Sequence, residues 1–448
     1  MRTLDETDAF RARGNRIAWA FVPYAAICQA VQLAFPVPVP GLHLVTFEFF
    51  ALFLIVLVTF PWWSTRWREL GPVPLVVAGS FLAMIAYGLV SLALHDQPVV
   101  TTPVGGPVPR FAMVVPLLSA AMAMVAGFGI VLSAERRLRL RILTVAGAAS
   151  LVVAFAGWPF QSAYRDYIRL ATGQGGAAII HVLFLLIVAL GLAQFVRGSR
   201  PRLGLAIVVL GLGAVIATQS RGALINIAAW LALIALGWVL TNPRGVRRLW
   251  PLGVAIVVAA VGVALIPGAD RVFELYDPKR ARNLANALEL WGQDPGSMAF
   301  GLGPGHVWPW PAYESGLYPM PAGGYAGFRP TEMGDVLLTP HSTPLAILVE
   351  FGIPGALLGA VMGLALAWGW WRSRTTLPRL VVASAVLACL VAFLVDTYLL
   401  RNFGISLWWW ALVALTATWP FDDADAPDAA RPRRETDGGQ AGRSHVAT

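Results

Sequence analysis

The chain has 448 residues, of which 57% are hydrophobic and 13% are charged. Soluble domains carry about a quarter charged residues, and the mean hydropathy here is +0.67. This composition excludes a protein with a wholly aqueous surface and indicates a polytopic membrane protein. The net charge is +9, but the basic residues form short clusters between apolar runs, which indicates membrane orientation and not nucleic-acid binding.

Twelve apolar runs are long enough to cross a bilayer, because about 20 helical residues span its hydrocarbon core. They fall near residues 17–35, 42–60, 73–94, 111–132, 142–158, 177–196, 203–218, 222–241, 250–266, 343–371, 380–400 and 403–419. The predicted fold is therefore all-α and polytopic, with about 12 transmembrane helices. Cys28 and Cys389 both lie inside apolar runs, so neither a disulfide framework nor a metal site is predicted from them.

Arginines in the connecting segments orient the helices. With the N-terminus inside, nineteen arginines fall in cytoplasmic segments before the tail, and only five in short outside loops. Those five are Arg110, Arg165, Arg169, Arg221 and Arg401. This bias predicts a membrane protein with both termini cytoplasmic. The predicted organisation is nine spans over 1–266, a large extracytoplasmic loop over 267–341, three spans over 342–420, and a disordered cytoplasmic tail over 421–448.

The loop over 267–341 is the predicted working site, because loops of roughly 75 residues are uncommon unless they are functional. Its first part, Lys279 to Trp291, has helical periodicity after a turn at Asp277-Pro278, and Pro295-Gly296 should stop that helix. An apolar stripe is formed by Leu284, Ala287, Leu288 and Trp291, and the helix is predicted to lie on the membrane face.

The middle of the loop is rich in glycine and aromatic residues. The cluster Gly301-Leu302-Gly303-Pro304-Gly305 permits tight turns and close approach of a ligand. Aromatics at a bilayer surface anchor proteins, but they also stack on sugar rings, and the sequence leaves both uses open. These aromatics are Trp308, Trp310, Tyr313, Tyr318, Tyr325 and Phe328.

Two residues at the outer face have chemistry that could serve catalysis. His341 stands at the mouth of the tenth span and titrates near neutral pH, which suits a general base. Arg221, in the turn between spans seven and eight, carries a guanidinium that can bind phosphate bidentately. Other ionisable residues in or near apolar runs are candidates by position alone: Glu48, His181, Glu350 and Asp396.

Three segments together resemble the O-antigen ligase and polymerase superfamily of bacterial envelope glycosyltransferases. They are Ser220-Arg221-Gly222-Ala223; the run from Arg280 through Ala287-Leu288 and Pro295 to Gly301-x-Gly303; and His341 to Gly355, which includes Glu350-Phe351-Gly352. The match covers roughly 203–370. The chain departs from the family pattern at Leu284, where tryptophan is frequent, at Ser342, where asparagine is frequent, and in the longer stretch from Pro295 to Gly301.

The resemblance implies a GT-C-like fold in the bacterial inner membrane, with the large loop in the periplasm. It also implies a metal-independent, inverting glycosyltransferase without a cofactor. The implied donor is an undecaprenyl-pyrophosphate-linked O-antigen, and the implied acceptor is the lipid A-core oligosaccharide of lipopolysaccharide at the periplasmic face. In that assignment His341 is the general base, and the pyrophosphate is bound by arginines. The substrate-binding candidates are Arg221, Arg280, Arg282, Arg165 and Arg169.

Other functions stay open at this stage. An O-antigen polymerase would use the same donor with a second lipid-linked glycan as acceptor, and the Arg-x10-Gly spacing attributed to polymerases occurs from Arg165 to Gly176. A protein O-oligosaccharyltransferase usually has a longer C-terminal region. A secondary transporter would suit twelve spans, but the two halves show no internal repeat.

Overall fold

The structure is a computed structural model that describes residues 4–31, 46–94, 111–161, 168–242, 277–310, 328–394 and 397–419. The predicted ninth span, at 250–266, and the predicted tail, at 421–448, lie outside the described residues.

The described part of the chain is mostly helical. Before the long loop stand α1 (Leu4–Ala30), α2 (Phe47–Arg66), α3 (Pro72–Leu94), α4 (Phe111–Ser133), α5 (Arg136–Gly157), α6 (His181–Arg197), α7 (Pro201–Ala217) and α8 (Arg221–Thr241). The loop contributes α9 (Pro278–Gly292), α10 (Pro295–Phe300), β1 (Phe328–Thr331) and β2 (Gly334–Leu337). The chain then continues through α11 (Thr343–Ser373), α12 (Leu377–Ala392) and α13 (Phe403–Ala417).

Eleven of the predicted spans coincide with described helices. Six of these helices, α2, α3, α4, α5, α8 and α11, are long and apolar enough to cross a membrane. Four more, α6, α7, α12 and α13, are apolar but have only 15 to 17 residues. The protein is therefore a helical, polytopic membrane protein, and the total of twelve spans stays a prediction.

Two short helices, α6 and α13, lie at the centre of the helix assembly. Nearly every side chain of α6 is buried, and the run Trp408-Trp409-Trp410 of α13 is fully buried. A helix that is apolar on all sides is expected to be enclosed by other helices. By contrast, α2 and α11 leave large apolar side chains such as Leu57 and Leu364 exposed, as suits a surface that faces lipid.

A cluster of charges joins one end of α2 to the start of α5. Glu69 accepts hydrogen bonds from Arg66 Nε and from Arg139 Nη2, each at 2.7 Å. Arg139 is fully buried, so the ion pair compensates the cost of burying its charge. Both arginines were predicted to lie on the cytoplasmic side, and the structure brings them to one carboxylate.

The described part of the long loop forms a second, smaller hydrophobic core against the start of α11. It buries Ala287 and Leu290 of α9, the indole rings of Trp308 and Trp310, and Val349 of α11. Its other buried members are Leu302, Val307, Val336, Leu345 and Ala346. The described part of the loop is thus a packed unit on the start of α11.

The elements of the loop differ in three ways from the sequence prediction. A two-stranded antiparallel hairpin, β1–β2, was not expected. Pro295 does not only follow a helix: it occupies the first turn of α10, which Asp294 caps. The predicted stripe of α9 is divided, since Ala287 is buried while Leu284 and Leu288 are exposed.

Candidate active site

A cavity of about 420 Å³ lies between the loop and the helix ends, and we call it the His341 cavity. It is open to the outside and is lined by parts of five regions: the segment before α6, the turn between α7 and α8, the first turns of α9, the start of α11, and Leu394 just after α12. Its polar lining residues are Arg169, Gln219, Ser220, Arg221, Asp277, Arg280, His341 and Ser342.

The turn between α7 and α8 is fixed by contacts on two sides. Arg169 donates from Nε to the carbonyl of Thr218 at 2.9 Å and from Nη2 to the carbonyl of Gln219 at 3.4 Å. Ser220 donates from Oγ to the carbonyl of Ala178 at 3.2 Å. These bonds hold Arg221, the first residue of α8, at the wall of the cavity.

Arg280 reaches the cavity from the first turn of α9. Asp277 caps this helix by accepting hydrogen bonds from the backbone N–H groups of Lys279 and Arg280 at 3.1 and 3.3 Å. Its other carboxylate oxygen lies 3.6 Å from Arg280 Nε. The partly exposed pair orients the guanidinium toward the cavity without burying its charge, so the group remains accessible to an anion.

His341 is positioned by both of its neighbours. The carbonyl of Pro340 accepts a hydrogen bond from Asn283 Nδ2 at 3.1 Å. Ser342 caps α11 by accepting from the backbone N–H of Leu345 at 3.4 Å. Ser342 therefore caps a helix, and His341 is held between two anchored residues.

Burial and neighbouring cations lower the pKa of His341 to about 3, and the carboxylate of Asp277 opposes that shift. The first cause is desolvation, and the guanidinium groups of Arg280 and Arg401 add to it. The imidazole is therefore neutral at physiological pH. A neutral imidazole has one nitrogen free to accept a proton, which is the state that a general base requires.

Backbone strain is concentrated in this cavity. Among the described residues, the non-glycine residues with positive φ are Gln219, at +48°, and His341, at +51°. Both line the His341 cavity. For residues other than glycine, this left-handed conformation costs about 1–2 kcal/mol. Such strain is often found at functional sites.

The glycine-rich segment after α10 supports the start of α11 and does not line the cavity. Glu350 accepts hydrogen bonds from the backbone N–H groups of Gly305, at 2.9 Å, and Trp308, at 3.4 Å. Gly301 and Gly352 face each other so closely that a Cβ on Gly352 would lie 2.4 Å from the nitrogen of Gly301. Gly352 also has a φ of +63°, where α11 is kinked.

The structure separates the predicted arginines. Arg169, Arg221 and Arg280 line the His341 cavity together with His341 itself. Arg282 does not line it: its guanidinium lies 3.6 Å from Asp335 and 3.9 Å from the ring centre of Phe328. Arg165 lies outside the described residues.

The remaining candidates take structural positions or lie outside the described residues. Glu48 accepts a hydrogen bond from the backbone N–H of Gly404 at 2.9 Å, and His181 is buried at the start of α6. Trp308 and Trp310 are buried in the loop core, so neither ring faces a sugar or a bilayer surface. Asp396, Tyr313, Tyr318 and Tyr325 lie outside the described residues.

Two residues of the site were not singled out from the sequence. Gln219 lines the cavity, and its Oε1 is buried without a hydrogen-bond partner among the described residues. Asn283 is buried and joins three segments, since its Oδ1 accepts from Trp308 Nε1 and from the N–H of Leu337, while its Nδ2 donates to Pro340. A polar residue on the buried face of an amphipathic helix was the available signal for Asn283.

The fold and the cavity define a class: polytopic helical membrane proteins with a cationic cavity, lined by one histidine, at the ends of their helices. Within that class, the family model described as O-antigen ligase matches residues 206–360, about a third of the chain. The matched segment includes Arg221, Arg280 and His341. This match supports an assignment of the segment 206–360 to the O-antigen ligase family. A search of curated proteins gave no match.

Proposed function

We propose that the chain is an O-antigen ligase that transfers a glycan from undecaprenyl pyrophosphate to the lipid A-core oligosaccharide. The proposal rests on one observation: Arg221, Arg280 and His341 line the same cavity. They do so although Arg221 and His341 are 120 positions apart in the sequence. Cations suited to a pyrophosphate and a neutral base suited to a hydroxyl thus lie together.

Arg221 and Arg280 bind the pyrophosphate of the donor in this proposal. As the glycosidic bond breaks, both electrons of the bond between the anomeric carbon and oxygen go to the pyrophosphate, whose negative charge increases. Guanidinium groups that are already in place stabilise this growing charge more than they stabilise the ground state, and so they lower the barrier. Arg169 keeps the turn with Arg221 in position through its bonds to Thr218 and Gln219.

His341 accepts the proton of the acceptor hydroxyl. The hydroxyl oxygen forms the new bond to the anomeric carbon, and its proton moves to the imidazole while undecaprenyl pyrophosphate leaves. A single displacement of this kind inverts the anomeric configuration. The products are the glycosylated lipid A-core and undecaprenyl pyrophosphate, and the proton on His341 then passes to solvent.

Binding of the donor should also change the basicity of His341. In the free protein the cations of Arg280 and Arg401 lower the pKa of the imidazole. A pyrophosphate bound to Arg280 brings negative charge close to His341, which favours the imidazolium. The histidine therefore becomes a stronger base when the donor is bound.

Purified protein supplied with lipid-linked glycan tests the proposed acceptor. We expect polymer to appear on lipid A-core, with the same yield in EDTA, and no extension when a second lipid-linked repeat unit is the acceptor. Extension of the lipid-linked glycan without transfer to lipid A-core would instead identify a polymerase, and glycosylated protein would identify an O-oligosaccharyltransferase.

The His341→Ala variant tests the proposed base in the same assay. We expect transfer to fall at least about 10²-fold, since general base catalysis contributes at least that factor, while the amount of inserted protein stays unchanged. A variant of Arg282, which lies outside the cavity, serves as the control for loss of a loop side chain. Transfer at the wild-type rate by His341→Ala would reject His341 as the base.

A further inference from the structure

A second cavity lies at the C-terminal end of α11, far from His341, which directly precedes the N-terminal end of this helix. Its volume is about 960 Å³, and it is enclosed by the first turns of α3 and α12 and the last turns of α11 and α13. None of its lining residues lines the His341 cavity. We call it the Trp371 cavity, after the tryptophan at its rim. Its size falls in the range of about 300–1,000 Å³ that is usual for sites that bind small molecules.

Three arginines give this cavity its charge. They are Arg372, Arg374 and Arg379, and none of the lining residues that the structure describes is acidic. Arg374 lies with its guanidinium carbon 3.2 Å from the ring centre of Trp371. Arg379 is oriented by donating from Nε to the carbonyl of Thr416 at 2.9 Å. Two of the three guanidinium groups are thus held in fixed directions within a concave surface.

The rim of the cavity continues into apolar surface. Trp368 is 57% exposed and Trp371 is 39% exposed, and the exposed Leu364 lies one turn before Trp368 on α11. Exposed tryptophan next to arginine is typical of the boundary between hydrocarbon and lipid headgroups. A ligand in this position meets cations at one end and an apolar helix face at the other.

From this arrangement we infer that the Trp371 cavity binds an anionic glycerophospholipid. Its phosphate contacts Arg372 and Arg374, and its acyl chains lie along the exposed face of α11. Arginine matches the geometry of phosphate through paired hydrogen bonds, and basic pockets between transmembrane helices are known to bind anionic headgroups. The lipid would join α3, α11, α12 and α13 at the end opposite the proposed active site, independently of that site's chemistry.

A second basic pair in the same protein provides a matched control. Arg200 and Arg202 stand at the turn between α6 and α7 and are exposed, but neither lines the Trp371 cavity. If clustered charge alone attracted lipid, both pairs would retain it equally. If the cavity is required, only the pair at α11 will matter.

Native mass spectrometry of the full chain tests the proposal, after purification in detergent and exchange against defined lipids. Wild-type protein is expected to retain about one phosphatidylglycerol per chain, which phosphatidylcholine and inorganic phosphate do not displace. Arg372→Gln/Arg374→Gln should weaken this binding at least about tenfold, the size expected for loss of charge-assisted hydrogen bonds. Arg200→Gln/Arg202→Gln should bind as the wild type does.

The contrary outcomes are also defined. Equal retention by the two double variants, or equal binding of phosphatidylcholine, would overturn the proposal, and displacement by inorganic phosphate would indicate a free phosphate site. If Arg372→Gln/Arg374→Gln fails to fold, Arg372→Lys/Arg374→Lys decides, because it keeps both charges and loses the paired geometry. Lipid retained at full strength by that variant would count against the site.

Discussion

Gln219 and His341 reach the same cavity from two different segments, and both have backbone conformations that glycine adopts more easily. The strain at these two positions is maintained by neighbours: Arg169 bonds the carbonyl of Gln219, and Asn283 bonds the carbonyl next to His341. Fixed backbone places a side chain accurately, at a cost in stability. Removing these side chains should therefore lower the transfer activity without lowering the stability of the fold.

The variants His341→Gly and Gln219→Gly remove the side chains and relieve the left-handed strain. We expect each variant to unfold at the same temperature as the wild type or slightly above it, since relief of about 1 kcal/mol is offset by the entropy of glycine in the unfolded chain. Transfer should be abolished in His341→Gly and reduced about tenfold in Gln219→Gly, whose buried Oε1 could accept a hydrogen bond from a sugar hydroxyl. Thermal unfolding in detergent, measured beside transfer, checks both.

A loss of stability that parallels the loss of transfer would show that these side chains serve the fold and not the reaction. Full activity in Gln219→Gly would exclude the amide from substrate binding.

The pH dependence of transfer should follow the protonation of His341. Because the pKa of this histidine is lowered to about 3, its neutral form is present from about that pH upward, and kcat/KM should not fall because of it between pH 5 and 7. In kcat, which reports the complex, the acid limb should lie at higher pH because the donor's pyrophosphate favours the imidazolium. Arg280→Gln removes one neighbouring cation, so the pKa of His341 should rise and the acid limb of kcat/KM should move to higher pH.

The measurement is the pH profile of kcat and of kcat/KM, for the wild type and for Arg280→Gln. A kcat/KM limb near the ordinary histidine value of about 6.5 in the wild type, unmoved by Arg280→Gln, would contradict the described environment of the imidazole.

At the scale of elements, the contact between the glycine-rich segment and the kink of α11 links the loop to the helix that follows His341. Glu350 on α11 accepts two backbone N–H groups, from Gly305 and Trp308. Both donors are buried, so loss of the acceptor leaves them unpaired at a cost of about 1–3 kcal/mol each. The Glu-x-Gly sequence at 350–352 thus has a structural explanation in this chain.

Glu350→Ala should loosen the segment from Gly301 to Trp308 and lower stability by about 2–6 kcal/mol, whereas Glu350→Gln keeps an acceptor oxygen and should have a much smaller effect. Hydrogen exchange at the amides of Gly305 and Trp308 reports the change directly. Exchange that is equally slow in wild type and Glu350→Ala would show that these hydrogen bonds do not hold the segment.

Some elements could be predicted from the sequence and others could not, for physical reasons. Lipid requires long apolar helices, so hydropathy predicted eleven of the described helices with ends within about eight residues, apart from an N-terminal extension of α1. The strands β1 and β2 have four residues each, and their packing depends on α9, where Asn286 Nδ2 donates to the carbonyl of Asp335. Short strands of that kind carry little local signal.

The site shows the same division between local and tertiary information. Positions two apart on a helix point in different directions, so Arg280 and Arg282 cannot both face one cavity. Both were predicted from the sequence to bind substrate, but their directions depend on Asp335 and Phe328, which hold Arg282 from about 50 residues away. Gln219 was missed because its importance lies in a backbone angle and an unpaired oxygen, neither of which is visible in the residue type.

At the scale of the whole molecule, α11 connects the two cavities. After the kink at Gly352, its remaining 21 residues (353–373) extend about 32 Å at 1.5 Å per residue, which matches the hydrocarbon thickness of about 30 Å. Its two ends should therefore lie on opposite faces of the membrane. The positions of the arginines predict that the His341 end is periplasmic and that the Trp371 end is cytoplasmic.

Single-cysteine labelling tests this orientation. Both native cysteines, Cys28 and Cys389, are buried and should not react, so the variants Lys279→Cys and Thr375→Cys can be read against a silent background. In intact spheroplasts a membrane-impermeant maleimide should label Lys279→Cys only, and Thr375→Cys should react only after permeabilisation. The reverse pattern would invert the proposed topology.

The most direct test of the central claim compares two arginines that stand two residues apart on α9. Arg280→Gln removes a cation that lines the His341 cavity, and Arg282→Gln removes one that does not. With purified protein, lipid-linked glycan and lipid A-core, we expect kcat/KM to fall at least about 100-fold in Arg280→Gln, the size of one lost charge-assisted hydrogen bond to a developing anion. It should stay within about threefold of wild type in Arg282→Gln, because a partly exposed ion pair contributes little. Equal losses in the two variants, or a greater loss in Arg282→Gln, would contradict the assignment of this cavity as the site of glycan transfer.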